Sequence, residues 1–304
     1  MMTDFGGAEE FEHLSEAAAT AGLAVKVVLP AHLRVIAHGI SLHCLDWGTE
    51  GRTPVLFLHG GGLTARTYDL LCLVMRAEFH CYALDQRGHG DSSWAPDSDY
   101  SIDAHVSDVA DVIAELGLLR PVLVGMSMGG SNAIAFAQQY PDTLSALVVI
   151  DTGPDIHRQG ADAIVAFMKG PSTMDSLDDF IERAKAFNPR RDKRLLRRSL
   201  RHNLKQLADG RWTWKYDPRT VPDLDQVIES HRKLRERIGT IQCPTLILRG
   251  AESAVLSRED AAAFAQALPD GRWQEIPGAG HTVQGDNPGA AALAILEFIR
   301  PLET

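Results

Sequence analysis

Residues Val122 to Gly130 read V-L-V-G-M-S-M-G-G, a short apolar run that stops at a serine flanked by glycines. The run is typical of a buried parallel strand, and Gly125, Ser127 and Gly129 have the G-x-S-x-G spacing of a sharp strand-to-helix turn. Side chains at the two glycines would collide in this turn, which lifts the serine hydroxyl clear of the sheet. Met128 begins a helix whose first amides point to where an oxyanion would form. The segment predicts a nucleophilic serine at position 127.

Length and composition are those of an ordinary globular protein with one large core: 304 residues, 45% hydrophobic and 23% charged. The formal net charge of −10 argues against a nucleic-acid binder, and no apolar run approaches the ~18 residues of a membrane span. The acidic N-terminus does not resemble a signal peptide, and the four cysteines form no C-x-x-C pair. We therefore expect a cytoplasmic protein with reduced thiols, no metal, and neither a nucleic-acid nor a membrane partner.

Strand-like and helix-like segments alternate along most of the chain. The strand-like runs cover residues 33–37, 41–47, 55–59, 80–85, 122–125, 146–151, 244–249 and 272–276. Helical stretches separate most of them, and this alternation predicts an α/β fold with a mostly parallel eight-stranded sheet flanked by helices.

The alternation is interrupted between Pro154 and Thr240, where the chain is helical and charged with no clear strand. We therefore expect a core domain of residues 31–153 and 241–304 that is interrupted by a helical insertion of residues 154–240. Residues 1–30 form an N-terminal extension, with a short helix predicted at Phe11–Thr20.

Two further segments fit one site with Ser127. His59 is followed by three glycines, whose amides can face a substrate with no side chain in the way. The predicted oxyanion donors are the amides of Gly61 and Met128, with Gly62 as the alternative to Gly61. The second segment is a Gly-rich loop after the last strand, which carries His281 as the candidate general base and then general acid.

Four motifs, H-G-G-G, D-Q-R-G-H-G-D-S, G-M-S-M-G-G and P-G-A-G-H, occur in this order and resemble those of the α/β-hydrolase superfamily. The similarity covers roughly Leu33 to Arg300. It implies that residues 154–240 form a cap, or lid, that closes over the nucleophile. Serine at position 127 disfavours the members with an aspartate nucleophile. The second motif is read as a structural loop braced by Asp85 and Arg87.

The acid of the catalytic triad is less evident than the other two members. In most relatives it follows the seventh strand, but here Ser253 or Ala254 occupies that place and only Glu252, slightly early, is acidic. Asp151 ends the sixth strand, and zearalenone-type lactonases are similar in placing the acid there. Both choices keep the chain order serine, acid, histidine. We favour Asp151, with Glu252 as the alternative.

The insertion contains two distinctive segments. Arg190 to Lys205 holds eight lysines or arginines around a leucine stripe, which favours a cap helix with its leucines toward the core and its charges in water. Trp212, Trp214 and Tyr216 would share one side of an extended segment, which suits the roof of an apolar pocket. Trp212 and Trp214 are therefore candidate substrate contacts.

The leading hypothesis is a cofactor-independent serine hydrolase that cleaves a small or medium, mostly apolar carboxylic ester or lactone through an acyl-enzyme. Carbon–carbon bond hydrolysis, perhydrolase chemistry, and a ligand-sensing receptor that retains the triad are the alternatives, because function depends on the pocket and not the fold. The expected partner is a small molecule, and the N-terminal extension offers a contact for a homodimer.

Overall fold

A computed structural model of the chain describes residues 7–302, which contain eleven strands. In chain order these are β1 (Ala31–Ala37), β2 (Ile40–Asp46), β3 (Pro54–Leu58), β4 (His80–Asp85), β5 (Val122–Met126), β6 (Ala146–Ile150), β7 (Thr173–Met174), β8 (Leu204–Gln206), β9 (Trp212–Trp214), β10 (Thr245–Gly250) and β11 (Gly271–Ile276). Residues 1–6 of the predicted extension and residues 303–304 of the predicted core lie outside the described residues.

Eight of the strands form one sheet in the order β1-β2-β4-β3-β5-β6-β10-β11. Strand β2 pairs antiparallel with both β1 and β4, and every other pair in this sheet is parallel. The predicted α/β fold with a mostly parallel eight-stranded sheet is therefore confirmed. Because parallel strands share one carboxyl edge, the loops after β3, β5, β6 and β11 open on the same side.

The described helices are, in chain order, α1 (Gly7–Thr20), α2 (Asp69–Met75), α3 (Ile102–Glu115), α4 (Met128–Gln139), α5 (Arg158–Lys169), α6 (Leu177–Phe187), α7 (Lys193–Asn203), α8 (Leu224–Arg235), α9 (Arg258–Ala267), α10 (Val283–Asp286) and α11 (Pro288–Ile299). Helices α2 and α11 cover one face of the large sheet, with α1 beside them. Helices α3, α4 and α9 cover the other face.

Strand β3 illustrates how the two faces are built. Val55 and Phe57 pack into the core under α2 and α11, while Leu56 and Leu58 pack into the core under α3 and α4. Alternate residues of a strand point to opposite faces, so a strand buried on both sides is a continuous apolar run. All four side chains are fully buried.

The segment between β6 and β10, residues 154–240, is called the insert here, and the rest of the large sheet with its helices is called the body. The insert contains α5, α6, α7 and α8 around a small sheet of order β7-β9-β8. The expectation of no strand in this segment was wrong. These strands have two or three residues each, which is too short to produce an alternating pattern. The insert has its own apolar cluster around Phe180, Leu200 and Trp214.

Helix α1 includes the predicted helix at Phe11–Thr20 and joins the insert to the body. Its Leu14 is fully buried in the body core. The buried Glu10 carboxylate lies 2.7 Å from Arg198 of α7, 3.2 Å from His202 and 3.4 Å from Arg66 of the body. Burial raises the pKa of Glu10, but the hydrogen bond with His202 and the two arginine charges outweigh it and hold that pKa well below its usual range.

The four cysteines are free and buried. Within residues 7–302 no helix combines the length and the apolar character needed to cross a bilayer.

Candidate active site

Ser127 occupies a strained turn between β5 and α4. Its φ of 51° and ψ of −118° are unusual for a residue with a side chain, and its N–H donates to the Ile150 carbonyl of β6 at 3.0 Å. A Cβ at Gly125 would lie 2.2 Å from the Gly129 carbonyl oxygen, and one at Gly129 would lie 2.2 Å from the Leu58 carbonyl oxygen. Only glycine fits both positions, which explains the G-x-S-x-G spacing at the level of the backbone.

His281 and Asp151 are brought together at the carboxyl edge of the sheet. His281 Nδ1 lies 2.8 Å from Asp151 Oδ2, although the two residues are 130 positions apart in the chain. Asp151 follows β6 directly, just as Ser127 follows β5, and its N–H donates to the Leu248 carbonyl at 2.7 Å. The Asp151 carboxylate is fully buried, whereas the His281 ring is partly exposed.

Two further donors hold the Asp151 carboxylate in place. The Gly250 N–H donates to Oδ1 at 2.9 Å, and the Ser253 hydroxyl donates to Oδ2 at 2.5 Å. Ser253 Oγ in turn accepts the Val255 N–H at 3.0 Å. Sequence reasoning missed the part played by Ser253. Ser253 stands where most relatives carry their acid, but a hydroxyl at that position does not by itself indicate a hydrogen bond to an acid supplied by β6.

Glu252 lies in a different environment. Its carboxylate is 40% exposed and forms an ion pair with Arg190, which is 54% exposed. No hydrogen bond joins Glu252 to His281 among the described residues. Of the two candidate acids, the structure therefore brings only Asp151 to the histidine.

The loop after β3 is held from below by a chain of hydrogen bonds. His59 Nδ1 lies 2.8 Å from the Gly60 carbonyl, and His59 Nε2 accepts the Gln86 N–H at 3.0 Å, which fixes a neutral tautomer with the proton on Nδ1. Burial lowers the pKa of His59, opposed by the Asp85 charge and by the Gly60 hydrogen bond. Gln86 donates to the His59 carbonyl at 2.6 Å and accepts from Asn132 of α4 at 2.8 Å. These hydrogen bonds tie the glycine loop after β3 to α4 through Gln86 and Asn132.

The three candidate oxyanion residues, Gly61, Gly62 and Met128, all line the same cavity as Ser127 and His281. Met128 is the first residue of α4, so its N–H has no acceptor within the helix. Ser127 and His281 both border this cavity, and no hydrogen bond joins the serine hydroxyl to the imidazole among the described residues. Such bonds are often long in a free enzyme and tighten when substrate binds.

The loop after β4 has the structural role expected of it. The Asp85 carboxylate accepts the Ala65 N–H at 2.6 Å and the Asp91 N–H at 3.0 Å, and it lies 2.8 Å from His43. Arg87 forms a buried two-point contact with Asp108, at 2.6 and 2.7 Å. These bonds tie the loop to the neighbouring helices and leave its carboxylate fully engaged.

Within residues 7–302, two clusters of carboxylates and histidines have spacing that suits a metal: Glu10, Asp69 and His202, and His43, Asp85 and Asp91. In the first, Arg66 and Arg198 already neutralise both carboxylates. In the second, the Asp85 carboxylate is already taken by backbone amides and a histidine. Both are therefore read as internal ion-pair and hydrogen-bond networks.

The cavity has a volume of about 920 Å³ and lies between the body and the insert. Apolar side chains of the insert form much of its wall: Ile164, Val165, Phe167, Met168, Leu196 and Leu200. Trp214 and Tyr216 also line it. Trp212 does not, so the expected contact from Trp212 is not supported. That side chain lies in β9 opposite Met174 of β7 and packs at the edge of the insert's apolar cluster.

The expectation that all charges of the segment 190–205 lie in water was also wrong. Arg198 is buried against Glu10 and Asp69, and Arg191 reaches the wall of the cavity. The leucine part of the expectation holds, since Leu196, Leu200 and Leu204 are buried in the insert's cluster.

A serine on a strand-to-helix turn, a histidine bound to a buried carboxylate and a glycine loop, all at one carboxyl edge, define the α/β-hydrolase class. The chain belongs to this family: the model of the alpha/beta hydrolase fold matches residues 53–288. The esterase and lipase among its relatives support the assignment of this chain to the hydrolases.

Individual relatives agree with this assignment. Esterase Rv0045c of Mycobacterium tuberculosis is 34% identical over 303 residues, which cover 97% of this chain and 95% of the relative. The mouse sn-1-specific diacylglycerol lipase ABHD11 is 30% identical, covering 86% of this chain and 85% of the lipase. The crystal structure of E-2-(acetamidomethylene)succinate hydrolase, which is 26% identical, superposes with a TM-score of 0.80 over 89% of this chain and 99% of that one.

Proposed function

We propose that this chain is a serine hydrolase that cleaves a carboxylic ester or lactone through an acyl-enzyme on Ser127. In this proposal Asp151 is the acid of the triad, His281 the base, and residues 154–240 the cap of the site. The observation that carries it is the 2.8 Å contact between His281 and a fully buried Asp151, at the edge of the cavity that Ser127 borders.

The steps follow from the positions of these groups. His281 accepts the hydroxyl proton on Nε2, and Ser127 Oγ attacks the ester carbonyl, while the Nδ1–H remains bonded to Asp151. The negative oxygen of the tetrahedral intermediate is stabilised by the amides of Met128 and Gly61, with Gly62 as the alternative to Gly61. Collapse breaks the carbon–oxygen bond, and the leaving alcohol takes the proton from His281.

Deacylation reverses these roles with water. His281 removes a proton from the water, whose oxygen attacks the acyl carbon, and the second collapse returns the proton to Ser127. The net reaction consumes one water and gives one carboxylic acid and one alcohol, or a hydroxy acid from a lactone. Asp151 stays ionised throughout and stabilises the imidazolium in each half.

The shape of the cavity supports a substrate with an apolar portion. Burying an apolar chain against side chains such as Ile164, Phe167 and Leu200 stabilises the complex by roughly 25 cal/mol for each Å² removed from water. Ser127, His281 and the candidate oxyanion amides border the same cavity, which suits an ester whose reactive carbonyl reaches these groups while its apolar part contacts the insert.

A hydrolysis panel tests the proposal. Nitrophenyl esters of increasing acyl length, aryl acetates and simple lactones are assayed with wild-type protein and with Ser127→Ala as the blank. We expect activity well above the blank on at least one ester or lactone, and a phosphonate probe that labels wild-type protein at Ser127. No turnover above the blank on any member of the panel would refute the proposal.

The time course separates an enzyme from a ligand-sensing receptor. An enzyme gives a burst of alcohol followed by many turnovers, whereas a receptor gives one slow turnover and a lasting movement of the insert. We expect the burst and the steady state.

A further inference from the structure

Arg191 borders the cavity and also a second, small pocket, where its guanidinium packs against Gly285 of α10. It precedes Asp192, whose carboxylate caps α7 by accepting the Arg194 N–H at 2.8 Å. The Arg191 carbonyl accepts a hydrogen bond from Lys185 at 2.7 Å. A Cβ on Gly285 would lie 2.7 Å from Nη2 of the Arg191 guanidinium. The absence of a side chain at this position of α10 therefore makes space for the guanidinium.

Every other arginine or lysine from 190 to 201 has a carboxylate partner. These pairs are Arg190 with Glu252, Lys193 with Glu182, Arg194 with Asp192, Arg197 with Asp178, Arg198 with Glu10 and Asp69, and Arg201 with Glu9. Among the described residues, the Arg191 guanidinium has no ion pair or hydrogen bond, and its Nε is buried without a partner. Arg191 is thus the exception in a segment where charges are otherwise matched.

Asp286 is the carboxylate whose charge acts on Arg191, and it is already committed elsewhere. Its Oδ2 accepts the Gly280 N–H at 2.9 Å and its Oδ1 accepts from Asn188 at 3.0 Å. Burial lowers the pKa of Arg191, and the Asp286 charge opposes that shift. A guanidinium offers five donors in a fork that matches a carboxylate, and leaving it unpaired in a cavity is unfavourable.

The remaining cations that border the cavity do not share this combination. Lys233 is exposed to solvent, Arg219 is paired with Asp217, and Arg237 donates to the Gln138 carbonyl at 2.9 Å. Arg191 alone among these cavity cations has a buried, unpartnered nitrogen. Helix α10, against which it packs, begins two residues after His281.

We propose that Arg191 binds a carboxylate of the substrate, so that the ester or lactone cleaved at Ser127 also carries a free acid group. The inference rests on the proposed function and narrows its substrate class to anionic esters. The apolar side chains of the insert then contact the carbon chain between the ester and the acid.

The test compares two esters of the same shape. 4-Nitrophenyl hydrogen succinate carries a terminal carboxylate, and 4-nitrophenyl 4-methylpentanoate has an isopropyl group in its place. For Arg191→Met we expect kcat/KM for the succinate to fall about 30-fold or more, mainly through KM, because a buried carboxylate loses its charged partner. For the neutral ester we expect less than about a 3-fold change, since nothing charged is lost there.

Two further variants control for charge and folding. Arg197→Met removes an exposed arginine of α7 whose partner is Asp178, and should leave kcat/KM for both esters unchanged. Arg191→Lys retains the charge but loses the two-point hydrogen bonding of the guanidinium. Its kcat/KM for the succinate should lie between those of wild type and Arg191→Met, with no change for the neutral ester. Far-ultraviolet circular dichroism and urea unfolding check that each variant is folded.

Binding without turnover gives an independent readout. Glutarate should bind to Ser127→Ala protein in a calorimeter, and the added Arg191→Met change should weaken that binding about 10-fold or more. Equal losses on both esters, or unchanged succinate kinetics with Arg191→Met, would overturn the role of Arg191 while hydrolysis of the neutral ester stands. Absence of any hydrolysis above the Ser127→Ala blank would instead refute the proposed function.

Discussion

The body and the insert contribute to the cavity in different ways. In the body, Ser127 and Asp151 both have positive φ and both follow a strand. Each donates its N–H to a carbonyl of the adjacent strand, Ser127 to Ile150 of β6 and Asp151 to Leu248 of β10. In the insert, the residues that face the cavity do so through flexible side chains such as Met168. Many of its ion pairs are exposed, for example Arg158 with Asp225 and Lys169 with Asp223.

The two regions therefore control different properties of the enzyme. The body fixes the reacting groups through strained backbone geometry, which most substitutions at these positions would disturb. The insert shapes the cavity through side chains, which can change one at a time while the reaction stays the same. Changes in the body should therefore act on turnover or folding, and changes in the insert on substrate choice.

The largest expected effect comes from the two candidate acids. Asp151→Asn should lower kcat/KM on a hydrolysed ester by about 10³–10⁴-fold, because the imidazole loses both its orientation and its stabilising charge. Glu252→Gln removes a half-exposed carboxylate that faces the insert through Arg190 and should change kcat/KM less than about 3-fold. Steady-state kinetics on both variants measures the ratio, and the reverse ranking would show that Glu252 is the acid.

The second effect compares added methyl groups in the body and in the insert. Gly129→Ala places a Cβ 2.2 Å from a backbone oxygen of β3, so the free energy of unfolding should fall by about 1–3 kcal/mol and activity with it. Gly239→Ala, at the end of the insert, meets no atom within 4 Å and should change stability by less than about 0.5 kcal/mol. Urea unfolding of both variants measures these changes in the free energy of unfolding. Equal stability would mean that the elbow relaxes around the added atom.

The smallest effect is the pH dependence that a buried histidine of the body produces. Burial, together with the charge of the neighbouring His59, lowers the pKa of His89 from 6.5 to about 3. Between these values only the unfolded chain binds this proton, so stability falls as the pH falls. His89→Gln should reduce the loss of stability between pH 7.5 and pH 5.5 by about 1.4 kcal/mol.

The matched control for that experiment is His157→Gln, at the exposed start of the insert. It should leave the difference between the two pH values within about 0.4 kcal/mol of wild type. Urea unfolding at both pH values supplies the free energies. An unchanged difference in the His89 variant would mean that His89 takes up its proton in the folded protein as well.

The body was predictable from sequence because its central strands, β3, β4, β5, β6 and β10, are buried on both faces. Runs such as residues 146–150 are apolar at every position, and glycines mark many of the turns that follow. The strands of the insert were not predictable, since β7 has two residues and neither is fully buried. Two residues carry no period, and their pairing with β9 depends on a fold that brings residues 173 and 213 together.

The candidate site was predictable where the backbone demands a residue type. The glycines around Ser127 and the loop of His281 are such positions. The contribution of Ser253 was not, because a hydroxyl shows no preference for an acid that lies 102 positions away in the chain. Arg191 looks like any other member of a basic segment, and only the packing of α10 distinguishes it from its neighbours.

Helix α1 also has a consequence for the order of folding. The Glu10 carboxylate meets Arg198 across 188 residues of chain, so during synthesis the helix is made long before that partner. At 5–20 residues per second the interval is about 10–40 s. Over that interval α1 lacks its ion pairs to α7, because these contacts can form only after α7 has been synthesised.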